Sequence, residues 1–590
     1  MKKNVLAVSI AAMIGGLGFA GVASAGTAYY NAATPATVAI DGKTAAGPYF
    51  PVADTLVPTT TGIGHILVVP YYSTQEGNVS LLNIVNTDLV NGKAVKLRYR
   101  GAANSDDVFD ITVLMSPGDV WSANVSQADG VSTLVTNDKT CTLPANVNAA
   151  FSGGRANNDN AQTLEGYIEI LNMADIPALL ATDESGAPSA IANPLYTAIK
   201  HVNGVAKCET IASQLLDVVD PAVAATPIVD AATATGSLNR NEWNGRGYNF
   251  PSGGLMANWT IVNLSKAGSF TGAATAIAAV DAANPNERAV ANLVFSPQDS
   301  ALQPSDVASI GAFTHPAFLT ADPLLAGGTK EDGTVILPKI PASLYDFPDL
   351  STPYVTDPTV QGNALAQAET LSAALATKSI TNEYLTSADV GFATDWTFSM
   401  PARRYNVAYN YEGTSATKDR ALYAAVLDYA DNTATAGGAT IAPTVIDTTL
   451  PAAQQKGTYF TTANTTVSTL KTQVCVKPGA LAYYDTEETG AAGGSYVISP
   501  QPIGAALAFC GEVSVLGFNG TSALGAKIAT QNITTKQNAS KTFTDGWMSI
   551  KTPGNSNQGL PVIGHAFSKA LGSSFNLGGI WAHRTDRSGL

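Results

Sequence analysis

The chain of 590 residues carries 32 Lys and Arg against 46 Asp and Glu, a net charge of −14, and only 13% of its residues are charged. That balance repels nucleic acid and anionic lipid headgroups and argues against both as partners. The length exceeds what a single hydrophobic core needs, so several domains are expected.

The first 25 residues read as a secretory signal peptide. Lys2 and Lys3 precede an apolar stretch from Val5 to about Val22, and Ala23-Ser24-Ala25 supplies the small residues a signal peptidase requires. Gly15, Gly16, Gly18 and Gly21 interrupt the apolar stretch, which argues against a retained anchor. Cleavage at Ala25/Gly26 leaves 30 basic against 46 acidic side chains, a net charge of −16. No later apolar segment reaches the roughly 20 residues of a membrane-spanning helix, so the mature chain is expected to have no transmembrane helix.

From residue 64 the pattern is β. Val95, Leu97 and Tyr99 alternate with Lys96, Arg98 and Arg100, and Phe109, Ile111, Val113 and Met115 alternate with Asp110, Thr112 and Leu114. Period-two alternation predicts antiparallel strands with one buried and one wet face. Asn91-Gly92 is a hairpin signal between two of these strands. Residues 165–172 and 258–264 read as further strands. Helical spacing then takes over: Leu195, Ile199 and Val202 share a face after Pro194, and Ile211, Leu215 and Val219 repeat it. Residues 175–240 are therefore expected as a helical insertion lying on the sheet, within an N-terminal β-sandwich spanning 26–300.

A connector follows over 301–385. It is irregular through the Pro-, Asp- and Ser-rich 297–360 stretch and helical over 361–378, where Leu365, Ala368, Leu371 and Leu375 line one side. From 386 to 590 the chain is β again. Trp396, Phe398 and Met400 alternate, and short strands are expected at 421–429, 469–476, 481–486, 495–500, 505–518, 525–533, 545–552, 560–567 and 574–583. Gly490–Gly494 is the expected hairpin tip and 430–456 an exposed loop. The fold class is thus mainly β, antiparallel β-sandwich domains with a helical insertion.

Four cysteines in an exported chain predict two disulfides. Of three connectivities, Cys141–Cys208 and Cys475–Cys510 are favoured, because each closes a loop within one half of the chain.

Signatures of catalysis are missing. His65, His201, His315, His565 and His583 are scattered, with no paired metal-ligand spacing, and no G-x-S-x-G elbow occurs. Ser468-Thr-Leu-Lys471 matches S-x-x-K but falls in an expected strand, without the companion motifs of penicillin-recognising enzymes. No enzymatic role and no certain cofactor follow. Carboxylates cluster at Asp106/Asp107/Asp110, Asp183/Glu184, Asp346/Asp349 and Asp485/Glu487/Glu488. Asp106, Asp107, Asp110, Asp346 and Asp349 are the candidate Ca²⁺ ligands; solvated acidic turns are the plainer reading. Trp121, Trp243 and Trp396 are candidates for a glycan platform, against the commoner role of core packing.

The stretches Leu67-Val-Val-Pro-Tyr-Tyr-Ser-Thr74, Leu82-Asn-Ile-Val-Asn-Thr87, Lys93-Ala-Val-Lys-Leu-Arg-Tyr-Arg100 and Ser116-Pro-Gly-Asp-Val-Trp121 resemble a family of exported Gram-negative proteobacterial proteins described as cell-surface or S-layer-like. Thr394-Asp-Trp-Thr-Phe398, Pro401-Ala-Arg-Arg-Tyr405 and Gly559-Leu-Pro-Val-Ile-Gly564 are similar to the same family. The resemblance implies a surface location and brings no catalytic residues. The function expected is that of a structural surface protein assembling with copies of itself into a layer, sheath or matrix. The alternatives are a secreted adhesin that binds surface glycans and, third, an outer-membrane barrel.

Overall fold

A computed structural model describes residues 26–28, 37–39, 49–51, 53–154, 156–157, 159–179, 192–210, 247–263, 268–291, 293–295, 322–323, 328–330, 335–336, 364–389, 391–411, 420–424, 459–487, 490–492, 497–499, 507–536, 542–571 and 576–588. Over these residues the protein is mainly β, in antiparallel sheets packed in sandwich fashion with few helices. Among the described residues no helix is long and apolar enough to cross a membrane.

Two sheets make the N-terminal half. One has six strands in the order Ala149–Ala150, Val131–Val135, Val120–Ala128, Asn78–Asn86, Leu255–Asn263, Gly268–Ala273. The other has seven, in the order Cys141–Leu143, Asp107–Met115, Gly92–Gly101, Glu165–Ile176, Ile66–Ser73, Thr275–Val280, Thr55–Pro58. Leu82, Ile84, Trp121 and Trp259 of the first meet Val69, Val95, Leu97, Ile111 and Ile170 of the second in one apolar core. The six-stranded sheet keeps the expected wet face, with Leu82 and Ile84 inward and Leu81 and Asn83 outward.

The seven-stranded sheet does not. All ten residues of Gly92–Gly101 are buried, Lys96, Arg98 and Arg100 among them. Alternation here separates an apolar buried face from a charged buried face. Asn91-Gly92 is also not a hairpin turn. Asn78–Asn86 pairs with Val120–Ala128 and Leu255–Asn263, whereas Gly92–Gly101 pairs with Asp107–Met115 and Glu165–Ile176, so residues 87–91 cross from one sheet to the other. A Cβ at Gly92 would stand 2.5 Å from Ile199 Cδ1 and 2.9 Å from the Met115 carbonyl oxygen, so glycine serves close approach there.

The described part of the insertion is the helix Pro194–Ile199, capped by Asn193 Oδ1 on the Leu195 amide at 3.0 Å. Its Leu195, Ala198 and Ile199 pack on Ala94, Leu114, Met173 and Ile176 of the seven-stranded sheet. The second helical run at 211–219 lies outside the described residues, as do the 430–456 loop and most of 297–360. The helix Ala364–Leu375 sets Leu371, Ala374 and Leu375 against the N-terminal core.

In the C-terminal half a six-stranded sheet runs Val497–Ser499, Thr530–Thr534, Val513–Phe518, Phe392–Ser399, His565–Leu571, Asn576–Ala582. A five-stranded sheet runs Gly490–Ala492, Leu481–Tyr484, Asp545–Lys551, Ser379–Leu385, Arg584–Asp586. Ile380, Trp396, Phe398, Phe518, Met548 and Ile550 fill the space between. Two local expectations shift. Gly490–Ala492 is strand, paired with Leu481–Tyr484, rather than a hairpin tip, and the strand expected at 469–476 shortens to Val474–Val476. Val513–Phe518 and Thr530–Thr534 pair in parallel, which forces the 519–529 connection to travel a strand's length before re-entering the sheet. The halves share apolar contacts: the Phe567 ring packs at 5.3 to 6.0 Å from those of Tyr71, Trp259 and Phe270.

Both favoured disulfides are present. Cys141–Cys208 ties the insertion to the sheet edge, and Cys475–Cys510 links directly opposed residues of Val474–Val476 and Phe509–Cys510. Replacing Cys141 and Cys208 together by Ala is expected to lower the unfolding free energy by about 2–5 kcal/mol, read by chemical denaturation. Thiols reactive in the native, unreduced protein would overturn both pairings.

Candidate functional site

The charged face of Gly92–Gly101 is neutralised across neighbouring strands. Arg98 lies opposite Asp110 on one side and Glu169 on the other. Lys96 Nζ pairs with Asp110 at 3.1 Å, and Arg100 Nε donates to Glu169 at 3.1 Å. Burial draws the Lys96 ammonium down to about 8 despite the Asp110 charge, as expected where water is excluded.

At the end of this strand the turn 102–106 enters the C-terminal half. The Ala102 carbonyl accepts the Glu512 and Val513 amides at 2.7 and 3.0 Å. Gly511 permits that approach, since a Cβ there would stand 2.7 Å from the same oxygen. Arg404 Nη1 donates to Asp106 at 2.9 Å and to the Asn104 carbonyl at 3.1 Å, while its Nε donates to Asp322. Arg100 Nη2 reaches Tyr405 Oη at 3.1 Å, and Arg403 Nε donates to Glu512 at 2.6 Å. The stretches Lys93–Arg100 and Pro401–Tyr405, distant in sequence, thus meet in one buried polar seam.

Three of the calcium candidates sit beside cations of the protein itself. Asp106 and Asp107 are buried and Asp110 is half-buried. Asp106 serves Arg404, Asp110 serves Lys96, and the Asp107 charge acts on Lys96. Asp346 and Asp349 lie outside the described residues, within which no group of three His, Cys, Asp or Glu side chains is placed to hold a metal. The glycan-platform expectation changes too: Trp121 and Trp396 have no exposed surface, and Trp243 lies outside the described residues. Ser468 Oγ accepts the Thr472 and Gln473 amides and so organises a turn. His65, His565 and His583 are buried, which drives them down to about 3, 4 and 3 and keeps them neutral. A second ion cluster joins Lys93 Nζ to Asp88, Asp175 and Ser252 Oγ at 2.9, 2.6 and 3.1 Å. Lys93 and Ser252 are fully buried, which withholds this pair from any substrate.

The open polar feature lies elsewhere. Asp395, Gly517 and Asn532 stand side by side on three adjacent strands. They border a cleft of about 190 Å³ whose exposed rim includes Gly520, Ser522 and Thr530. Asp395 Oδ2 accepts Ser522 Oγ at 2.7 Å and the Ala523 and Leu524 amides at 2.9 and 2.8 Å. Its Oδ1 is buried and meets no donor. Glu165 of the N-terminal half holds the same connection farther along, accepting the Lys527 amide at 2.7 Å. Burial pushes Asp395 up to about 6 and Glu165 up to about 7. Sequence pattern does not single out either acid; the available signal is Asp395 as the one charged residue of the Phe392–Ser399 strand.

A further exposed feature is the strand Asn576–Ala582 at the edge of its sheet: among the described residues its ladder partner is His565–Leu571, Asn382 Nδ2 donates to its Trp581 and Ala582 carbonyls at 3.4 and 3.3 Å, and its Gly578 lies against Ser269 and Phe270. Leu577 and Trp581 are 62% and 48% exposed on its outer side. The Trp581 ring lies over Gly579, where a Cβ would stand 2.6 Å from it.

No protein-family model, curated protein or solved structure matches the chain.

Replacing Arg404 by Ala strands Asp106 and Asp322 without their cation and is expected to cost about 3–5 kcal/mol, measured by denaturant unfolding. The two raised acids yield a pH prediction. The unfolded chain ionises them near pH 4 and the folded chain only near 6 and 7, so their contribution to stability is present at low pH and fades between about pH 4 and 7. The loss is on the order of 3 kcal/mol per group. The stability of Asp395→Asn relative to wild type should therefore improve as pH rises across that window. A difference that stays flat with pH contradicts the assignment.

Proposed function

We propose that the protein is exported and acts as a structural component of the cell surface, assembling with copies of itself. The predicted leader at 1–25, the two disulfides and the low charge density support this reading.

One observation carries it. The edge strand Asn576-Leu-Gly-Gly-Ile-Trp-Ala582 contains no charge and no proline in a chain of net charge −14, and it presents Leu577 and Trp581 to solvent. Edge strands are ordinarily protected by charge, bulges or covering elements, because their free backbone groups recruit further strands. Antiparallel pairing of two copies centred on Gly579 sets Leu577 of one opposite Trp581 of the other, a self-complementary register that closes under two-fold symmetry. Apolar area is then removed from water without confronting like charges.

The expected outcome is concentration-dependent association of the mature chain in analytical ultracentrifugation, abolished by Trp581→Glu with the melting temperature nearly unchanged. A wild-type chain that stays monomeric at high concentration, with and without Ca²⁺, rejects the proposal.

A further inference from the structure

Trp121 and Trp396 pack inward, but the outer face of the five-stranded C-terminal sheet carries a tryptophan of its own. Along Asp545–Lys551, Met548 and Ile550 enter the core, which turns Trp547 and Ser549 outward. Trp547 is 41% exposed. Directly across the sheet from it stand Tyr484 on one side and Glu383 on the other. Ser549 faces Thr381 in the same way, and Thr381 faces Arg584 on the next strand. We infer that this face binds a saccharide, with one sugar ring seated between the Trp547 indole and the Arg584 guanidinium.

The aromatic part of the site is fixed in advance. The Tyr484 and Trp547 rings stack with centroids 4.5 Å apart and planes 18° apart. Tyr484 stacks from the Leu481–Tyr484 strand, so the indole face left open is turned toward Ser379–Leu385 on the opposite side. Such a face gains by covering itself with the C–H groups of a sugar ring. The polar part is accessible and uncommitted. Glu383 and Arg584 are exposed, and among the described residues neither forms an ion pair. Arg584 Nη1 donates to the Ala582 carbonyl at 3.1 Å, which leaves the other guanidinium donors available. Thr381 Oγ1 donates to Ser549 Oγ at 3.1 Å and leaves the Ser549 hydroxyl a proton to give. An acceptor, a set of donors and a hydroxyl thus surround an apolar wall. A sugar carries the matching surfaces: apolar C–H faces, and a rim of hydroxyls that donate to Glu383 and accept from Arg584. Strands about 4.8 Å apart set Trp547 and Arg584 roughly 10 Å apart across the sheet, which is room for one ring. An apolar protein surface fits less well, because it would strip water from a carboxylate and a guanidinium without replacing their hydrogen bonds. The opposite charges of Glu383 and Arg584 favour a neutral ligand over an ion.

The test is ligand-detected saturation-transfer NMR and calorimetry on the mature chain with maltotriose, cellotriose, mannotriose and the trimer of N-acetylglucosamine. At least one should bind, with Kd on the order of millimolar. Trp547→Ala removes the wall and should weaken binding about tenfold or more, while Trp547→Phe should restore most of it. Glu383→Gln replaces a charged acceptor at an exposed position and should weaken binding about fivefold with the melting temperature nearly unchanged. A thermal melt accompanies Trp547→Ala, and Glu383→Gln decides if that variant fails to fold. Binding of none of the four sugars, or an affinity unchanged in either folded variant, overturns the inference. Loss of self-association in Trp547→Ala makes this face a contact between copies and overturns it as well. Strand-edge assembly is read separately, by sedimentation of Trp581→Glu, and stands or falls independently of sugar binding.

Discussion

Burial of the Lys96, Arg98 and Arg100 row is the constraint on which the remaining architecture depends. A cation withdrawn from water is tolerated only where opposite charge and hydrogen-bond acceptors are fixed around it. Here the fixing is done by Asp110 on one neighbouring strand and Glu169 on the other, so strand register and charge balance are a single condition. A slip of one residue would turn these cations into the apolar core and set Val95, Leu97 and Tyr99 among the carboxylates. Such networks add little net stability compared with an apolar equivalent, but they penalise every wrong arrangement heavily.

The same condition extends across the molecule. Arg404 reaches back to Asp106, Arg100 reaches forward to Tyr405, and Gly511 lets the Ala102 carbonyl receive two amides. Aromatic packing of Phe567 against Tyr71, Trp259 and Phe270 seals the adjoining part of the contact. The 519–529 connection is held from both halves, by Asp395 near its start and Glu165 near its end. Both acids are buried, and both therefore resist ionisation. The connection is the price of a parallel strand pair in an otherwise antiparallel sheet, and its return path is what leaves the cleft open beside Gly517.

Function and fold draw on different parts of the chain. The regular cores consume the alternating apolar residues, including Trp121 and Trp396, for which a sequence reading already gives core packing as the commoner role. Among the described residues the C-terminal edge strand leaves Leu577 and Trp581 exposed. Glycine serves close packing at two places in this half: a missing side chain lets the Trp581 ring lie over Gly579, and at Gly517 it lets the Asn532 amide and the Thr521 carbonyl close in beside Asp395.

Sequence alone determined the fold class, the helices at 194–199 and 364–375 and most C-terminal strands, because these follow from local periodicity, and it favoured one disulfide pairing of three, which the structure then decided. It read the charged face of Gly92–Gly101 as wet because alternation reports two unlike faces without saying what covers either. It read Asn91-Gly92 as a hairpin because turn chemistry is local, whereas the choice of sheet for the following strand is made by long-range pairing. Only the tertiary structure decided that Asp106 and Asp110 serve Arg404 and Lys96 and that Asp395 borders a cleft. The physical reason is common to both: the partner of a buried charge lies on another strand, often hundreds of residues away, and no spacing within one segment encodes it.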